Sequence, residues 1–351
     1  MNNFQIYNFT GVAAKKQKVS MFGKNDKISG LPDAILYNIL SRLPTKEAIR
    51  TSSLSRTWES LWTELPSFHF EVFYPLCKSN RRKQKLTRSL MHSIGRLLDK
   101  KEKIEKLYVR IEEVTIRPST ITSLFSDALN HNINSLHLKI GDFKDLDTRI
   151  VIPSSIPTSY SLTKLVLKLK FILVVRQGIR LPGLKKLKLS FLRFSNQYSA
   201  QNLLDGCPFL ETLTIYKCCW KFINNIFIGI STLKKLTIES HSPRVIPDHR
   251  DICAFQIDAE NLLKLNLSST PVLSFKPVNM RSLTHASVDL ENTYSPVEPN
   301  ASNYVHQLLT GIAAQVKDLF ITCETIMVCI NVSIISILFY MLYKSKLNML
   351  V

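Results

Sequence analysis

The sequence predicts an α+β repeat protein: a small three-helix segment, then a curved solenoid of stacked units with a parallel β-sheet on its concave face. Two observations predict it. Residues 31–58 read LPDAILYNILSRLPTKEAIRTSSLSRTW, apolar at helical spacing and cut by two prolines. From residue 104 onward an apolar-x-x-apolar-x-apolar pattern recurs at intervals of 21 to 33 residues. A chain of 351 residues suits about two domains or one extended array. Its hydrophobic content of 45% and charged content of 21% can build a sizeable core and argue against wholesale disorder.

The front comes first. Pro32 suits the first turn of a helix, where its missing N–H is not needed, and Asp33 sets a negative charge against the positive helix end. Ile35, Leu36, Ile39, Leu40 and Leu43 then recur on one apolar face. Leu43-Pro44 stops this helix, because the residue before proline disfavours the helical region. Thr45 is the expected cap of a second helix over about residues 46–53, with Glu47 in its first turn and Ala48 and Ile49 as its apolar residues. Ser55 is the expected cap of a third, with Trp58, Leu61 and Trp62 on one side. Three helices in about 35 residues cannot bury this much apolar surface against each other. The surplus meets either the rest of the chain or another protein, and spacing alone does not choose.

Residues 26–62, DKISGLPDAILYNILSRLPTKEAIRTSSLSRTWESLW, closely resemble the F-box. The F-box is the segment that docks onto the Skp-type adaptor of cullin-RING ubiquitin ligases. The shared features are Leu31-Pro32, the aliphatic run Ile35 to Leu40, Leu43-Pro44, the stretch Leu54 to Trp58, and Leu61-Trp62. The resemblance implies an adaptor-binding interface made of Leu31, Pro32, Ile35, Leu36, Ile39, Leu40, Leu43, Pro44, Ile49, Leu54, Trp58 and Leu61.

A basic connector follows, CKSNRRKQKLTRSLMHSIGRLLDKK. Leu86, Leu90, Ile94 and Leu97 are spaced as one face of a helix, and Arg81, Arg82, Lys83 and Lys85 are expected in a solvated loop ahead of it. The repeat then reads IEKLYV at 104, INSLHL at 133, LTKLVL at 162, LKKLKL at 184, LETLTI at 210, LKKLTI at 233, LLKLNL at 262, LTHASV at 283 and VKDLFI at 316. These intervals are those of leucine-rich repeats. One unit cannot close a core, whereas stacked units share one. Cys218 falls at the Asn/Cys position of the repeat signature and is expected to be a buried turn residue. LPGLKKLKLSFLRFSN and LLDGCPFLETLTI resemble plant F-box proteins with leucine-rich repeats, a group often closed by a C-terminal FBD region. The resulting division is a basic tail at 1–25, an F-box at 26–72, a connector and helix at 73–103, repeats at 104–323 and an atypical apolar end at 324–351.

Binding by repeat proteins usually uses the concave surface. His137, Lys164, Lys186, Lys188 and Lys235 occupy x positions of the repeat strands, and alternation sends such residues out to that face. They are either a basic stripe for an acidic or phosphorylated target or a solubilising surface.

The charge balance, 46 Lys plus Arg against 27 Asp plus Glu for a net +19, favours acidic partners. A solenoid that binds nucleic acid or another polyanion is therefore the rival function, although aromatic residues do not interleave regularly with the basic ones as RNA readers need. The seven cysteines are odd in number and lack zinc spacing, which points to reduced thiols in the nucleus or cytoplasm. No apolar leader opens the sequence. Lys15, Lys16 and Lys18 form either a solvated tail or a short nuclear-import cluster. Residues 325–343 carry no charge and just reach the length of a membrane span. An anchor, a β-rich cap on the last repeat and a truncated or misread end are all open there.

Catalytic patterns are missing: no Gly-rich phosphate loop, no His-Glu-x-x-His and no Gly-x-Ser-x-Gly. Glu112 and Glu113 are adjacent and face opposite ways on a strand. Asp248-His249-Arg250-Asp251 sits in a proline-flanked, exposed loop. The expectation is a non-catalytic receptor subunit with no cofactor and no metal, a Skp-type adaptor and through it a cullin as partners, and a target protein.

Overall fold

The computed structural model describes residues 28, 30–72, 79–112, 116–141, 149–152, 158–220, 223–240, 253–269, 273–290, 301–313, 316–322, 325 and 347–350. The chain forms two compact units, Met1–Lys144 and Asp145–Val351.

The first unit holds helices α1 (Asp33–Ser41), α2 (Thr45–Arg50) and α3 (Trp58–Leu61), strand β1 (Ser67–Val72), helix α4 (Asn80–Lys100), strand β2 (Lys103–Glu112), helix α5 (Pro118–Asn130) and strand β3 (Asn132–Gly141). β1, β2 and β3 pair in parallel, with Phe68 opposite Leu107 and Phe70 opposite Val109, and then Leu107 opposite Leu136 and Val109 opposite Leu138. All of these side chains are buried. β1 is therefore an additional rung set directly after the helical front, and Leu65, Phe68 and Phe70, all buried, give it the same apolar-x-x-apolar-x-apolar spacing, which was missed from sequence.

Several local expectations are corrected here. Pro44, not Thr45, is the N-cap of α2, and no side-chain bond caps that helix. The Thr45 hydroxyl instead accepts the backbone N–H of His69 and so ties α2 to β1. The second helix is also shorter than expected, continuing as a 3-10 turn over Thr51–Ser53. Thr57 rather than Ser55 is the N-cap of α3. Arg81, Arg82, Lys83 and Lys85 lie in the first turns of α4, not in a loop. Leu90, Ile94, Leu97 and Leu98 bury one face of that helix, so the apolar period propagates helix back through the basic residues.

The second unit continues with β4 (Arg149–Ile152), β5 (Lys164–Leu169), β6 (Ile172–Val175), β7 (Lys186–Ser190), β8 (Arg193–Phe194), α6 (Gln197–Asp205), β9 (Thr212–Tyr216), β10 (Asn225–Gly229), β11 (Lys235–Ser240), β12 (Cys253–Asp258), β13 (Lys264–Ser269), β14 (Leu273–Asn279), β15 (His285–Leu290), α7 (Ala301–Ala313), β16 (Asp318–Thr322) and β17 (Leu347–Leu350). Strands β5, β7, β9, β11, β13, β15, β16 and β17 are neighbours in that order. The nine motifs read from the sequence each fall on a strand of this kind in one unit or the other.

Register explains why the motif works. Leu165, Leu187, Leu213, Leu236, Leu265, Ala286 and Leu319 stand opposite one another from strand to strand. Leu167, Leu189, Ile215, Ile238, Leu267, Val288 and Ile321 form a second row two residues on. The first motif position, Leu162 through Val316, makes a third buried row just before the strands. Each such leucine contributes roughly 1.5–3 kcal/mol on burial. The turns stack as well: the Thr163 carbonyl accepts from Lys185 and Lys186, the Lys185 carbonyl from Glu211 and Thr212, and the Glu211 carbonyl from Lys234 and Lys235.

The sequence reading missed a second β layer. β4, β6 and β8 form one parallel three-stranded sheet, and β10, β12 and β14 form another. Between these two sheets, Phe194, Trp220, Phe255 and Phe275 pack ring to ring at centroid distances of 5.5, 5.0 and 5.8 Å. The two outer edges of the second sheet are covered. α7 packs on β14. On the other side the Gln201 side-chain amide of α6 donates to the Phe227 carbonyl and accepts the Phe227 N–H, both at 3.0 Å.

Cys218 is buried, its thiol facing the Tyr216 carbonyl, while Cys219 is exposed. Thr325 is buried against the end of β15, where its hydroxyl accepts the Leu290 N–H at 2.7 Å and lies 2.9 Å from the Thr322 hydroxyl. Of the apolar stretch 325–343, only Thr325 is among the described residues. The tail lysines, Glu113 and the cluster 248–251 also lie outside them. Among the described residues no helix is long and apolar enough to cross a membrane.

Candidate protein-interaction surfaces

The first candidate surface is the helical front. Its sequence-predicted residues separate into two groups. Leu36 and Leu40 are fully buried, and Trp58 and Leu61 nearly so. They form the inner side of the helices and are not available to a partner, which corrects the expectation that the whole apolar set faces out. Ile35, Ile39, Leu43 and Leu54 are the outer side, exposed by 46%, 39%, 37% and 64%. Pro32 and Pro44 are exposed beside them, whereas Leu31 and Ile49 are half-buried. Helix geometry makes the division. Ile35 and Ile39 lie one turn apart on one stripe, Leu36 and Leu40 on the next stripe round, about 100° away.

Ile28, exposed by 57% just ahead of α1 with its carbonyl accepting the Leu31 N–H, is a further exposed apolar residue and was not singled out from sequence. Its position in the match to the F-box was the available signal. The polar residues around this patch are held locally: Arg50 pairs with Glu47 at 3.1 Å, and Lys101 with Glu64 at 3.1 Å.

The outward face of the first unit's sheet carries His137. Its row is His69, Tyr108 and His137, with ring centroids 4.0 Å and 6.0 Å apart. Lys139 lies over the Tyr108 ring at 5.1 Å. The next row is charged and internally matched, because Arg110 reaches Glu71 at 2.6 Å and Glu112 at 3.0 Å. Burial holds the His69 imidazole below the usual histidine range; Glu71 opposes this, while Lys106, Lys139 and Arg110 add to it. His137 is half-buried in this row.

The outward face of the second unit's sheet carries the four predicted lysines. Lys164 stands opposite Lys186, Lys186 opposite Thr212, Thr212 opposite Lys235, and Lys235 opposite Lys264. Lys188 lies one row on, opposite Val166 and Thr214. Lys164, Lys186, Lys188, Lys235 and Lys264 are all exposed. Lys264 was missed from sequence although LLKLNL places it in register with Lys235. The flanking row is compensated: Glu211 sits between Lys185 at 3.4 Å and Lys234 at 3.3 Å. Those two lysines hold the Glu211 carboxyl below the usual carboxylate range.

Thiol chemistry is closed off at Cys207 and Cys218, where burial pushes each thiol up to about 12, and at Cys253, pushed to the same value. Among the described residues no group of three His, Cys, Asp or Glu side chains is placed to hold a metal ion.

Comparison with known proteins agrees with both halves of the chain. Residues 28–70 match the F-box domain. Residues 121–276 match the leucine-rich repeats of the FBD-associated F-box protein At5g56370 group. Neither matching family model is that of an enzyme. The F-box/LRR-repeat protein At4g14096 of Arabidopsis thaliana is 28% identical over 323 residues, 88% of this chain and 64% of the relative. The F-box/LRR-repeat protein At1g55660 of the same plant is 31% identical over 246 residues, 68% of this chain and 65% of the relative. At4g13965, an F-box/FBD/LRR-repeat protein, is 31% identical over 217 residues, and this chain covers 48% of it. The chain thus spans about half to two thirds of the length of these curated relatives.

Proposed function

Since this chain is an F-box/leucine-rich-repeat protein of the plant kind, we propose that it serves as the target-receptor subunit of a Skp–cullin–F-box ubiquitin ligase. The outer side of the helical front binds the Skp-type adaptor and through it a cullin, and the repeat face takes a target protein. The chain performs no bond chemistry itself. It raises the effective concentration of target lysines near a charged conjugating enzyme, making the transfer intramolecular. Its working compartment in this reading is the nucleus or cytoplasm.

The observation that carries the reading is the exposed apolar pair Ile35 and Ile39 on α1, whose other side is already buried, with Leu43 and Leu54 exposed just past the ends of α1 and of the 3-10 turn. Clustered exposed apolar side chains of this kind mark interaction sites, and here they fall inside the F-box match. Leu36, Leu40, Trp58 and Leu61 support that stripe from beneath by fixing the helices that display it.

The test is direct binding of the full chain to a purified Skp-type adaptor. Ile35→Asp with Ile39→Asp puts two charges into the contact and should weaken binding by about 100-fold or more, since central apolar contacts are each worth about 1–2 kcal/mol or more. The circular-dichroism spectrum and melting profile should stay those of the wild type. Unchanged adaptor affinity in that variant would remove the helical front from the interface.

A further inference from the structure

We propose that the outward stripe of α4 binds the phosphodiester backbone of a nucleic-acid duplex, without reading its sequence. The stripe lies outside both the F-box match and the repeat match, and it gives the chain a partner of a different class from the adaptor and the target.

Helix geometry makes the stripe. Leu90, Ile94, Leu97 and Leu98 bury one side of α4. Arg81, Lys85, Arg88, His92 and Arg96 follow one another at intervals of four, three, four and four residues, and all five are exposed. At 3.6 residues per turn they fall within an arc of about 80° on the opposite side and run for about 22 Å along the axis. A duplex presents about 13 phosphate charges over such a length, enough for each of the five. Gln84, exposed beside Arg88, adds a donor of the kind that contacts phosphates.

The stripe is built against the stability of its own helix. Like charges at i and i+4, such as Arg81 and Lys85, are destabilising. Arg81, Lys83 and Lys85 occupy the first turns with no acid in the first, so cations face the positive end of the helix dipole. Among the described residues the five have no ion-pair partner, whereas Arg50, Lys101 and Arg110 of the same unit hold carboxylates at 3.1, 3.1 and 2.6 Å. A polyanion laid along the stripe relieves all three costs.

The composition of the face selects the polyanion. No Phe, Tyr or Trp lies between residues 80 and 100, so the bases of a single strand have no ring to stack on. A helix lying on a membrane puts its apolar side into the lipid, and that side of α4 is inside the fold. Protein interfaces centre on apolar and aromatic residues with few charges, whereas interfaces with duplex DNA are polar and strongly basic.

The experiment is fluorescence anisotropy with the full chain and two labelled DNA duplexes of about 20 base pairs and unrelated sequence. Both should bind within about twofold of each other. With four Lys/Arg contacts, affinity should fall roughly 150-fold between about 50 and 200 mM salt. Lys85→Gln with Arg88→Gln should weaken binding at least tenfold and make the logarithmic salt slope shallower by about 2, while the melting temperature holds or rises. Lys264→Gln with Lys276→Gln, which removes two exposed lysines of the second unit, should leave affinity and slope unchanged. An RNA duplex of the same length run in parallel names the source, and a preference for either duplex supports the reading. Equal losses in the two double variants, an unchanged slope in the α4 variant, tighter binding of the single strand, or displacement of the duplex by polyglutamate at equal charge concentration would each overturn it.

Discussion

Truncating neighbouring residues of α1 should produce opposite phenotypes. Leu40 is fully buried, and Ile39 beside it is 39% exposed. Leu40→Ala removes three buried carbons and leaves a cavity, a change that costs about 2–5 kcal/mol. Ile39→Ala gives up only part of a side-chain burial worth roughly 1.5–3 kcal/mol in full, so it should cost about 1 kcal/mol. The assay is urea unfolding followed by tryptophan fluorescence in a Trp220→Phe background. The three tryptophans are Trp58, Trp62 and Trp220, so the remaining signal comes from the helical front. With a slope of about 2 kcal/mol per molar urea, Leu40→Ala should lower the midpoint by about 1–2.5 M and Ile39→Ala by about 0.5 M. Adaptor affinity, measured well below the midpoint, should order them the other way: Ile39→Ala weakened, Leu40→Ala close to wild type. Equal midpoints for the two variants would refute the division of α1 into an inner and an outer stripe.

Two further outcomes follow from buried groups. In the native chain at pH 8, a maleimide reagent should label Cys219 and spare Cys207, Cys218 and Cys253, whose thiols are pushed up to about 12 and are therefore almost wholly protonated; peptide mass spectrometry reads this, and labelling of Cys218 in the folded chain would contradict its burial. Thr325→Val takes away the acceptor of the buried Leu290 N–H, which should cost about 1–3 kcal/mol in thermal unfolding, whereas Thr325→Ser keeps the hydroxyl and should recover most of that loss.

The repeat region was legible because its signal is redundant. Leu210, Leu213 and Ile215 mark a strand, the turn before it and the inward direction at once, and the same triple returns through Val316, Leu319 and Ile321. Register then places Lys164, Lys186 and Lys235 on one row without further information. The helical front was legible as helices but not as a surface. Ile35, Leu36, Ile39, Leu40 and Leu43 satisfy a helical period equally well whichever stripe faces in, and the choice depends on what α1 packs against, including the turn Trp62–Glu64, which comes later in the chain. The second β layer was missed because three of its strands are short and the other three, β10, β12 and β14 at five to seven residues, lie outside the leucine motif. Arg193–Phe194 has two residues and Ile172–Val175 four, too few for alternation to stand out. Thr45 was misread for a related reason: a hydroxyl beside a helix start suggests a cap, but the His69 N–H, 24 residues away, claims it.

The bond pair between Gln201 and the Phe227 backbone has a consequence for how the protein behaves in a crowded solution. A bare strand edge offers its N–H and C=O groups to any passing strand and is a seed for aggregation. Gln201 meets the exposed edge of β10 with an amide of the same donor–acceptor pattern as a peptide group, so one side chain does what a further strand would do. The edge is closed without lengthening the sheet. Gln201→Ala would leave that edge open, and sheet-to-sheet polymerisation at high concentration would be its signature even where the melting temperature barely moves.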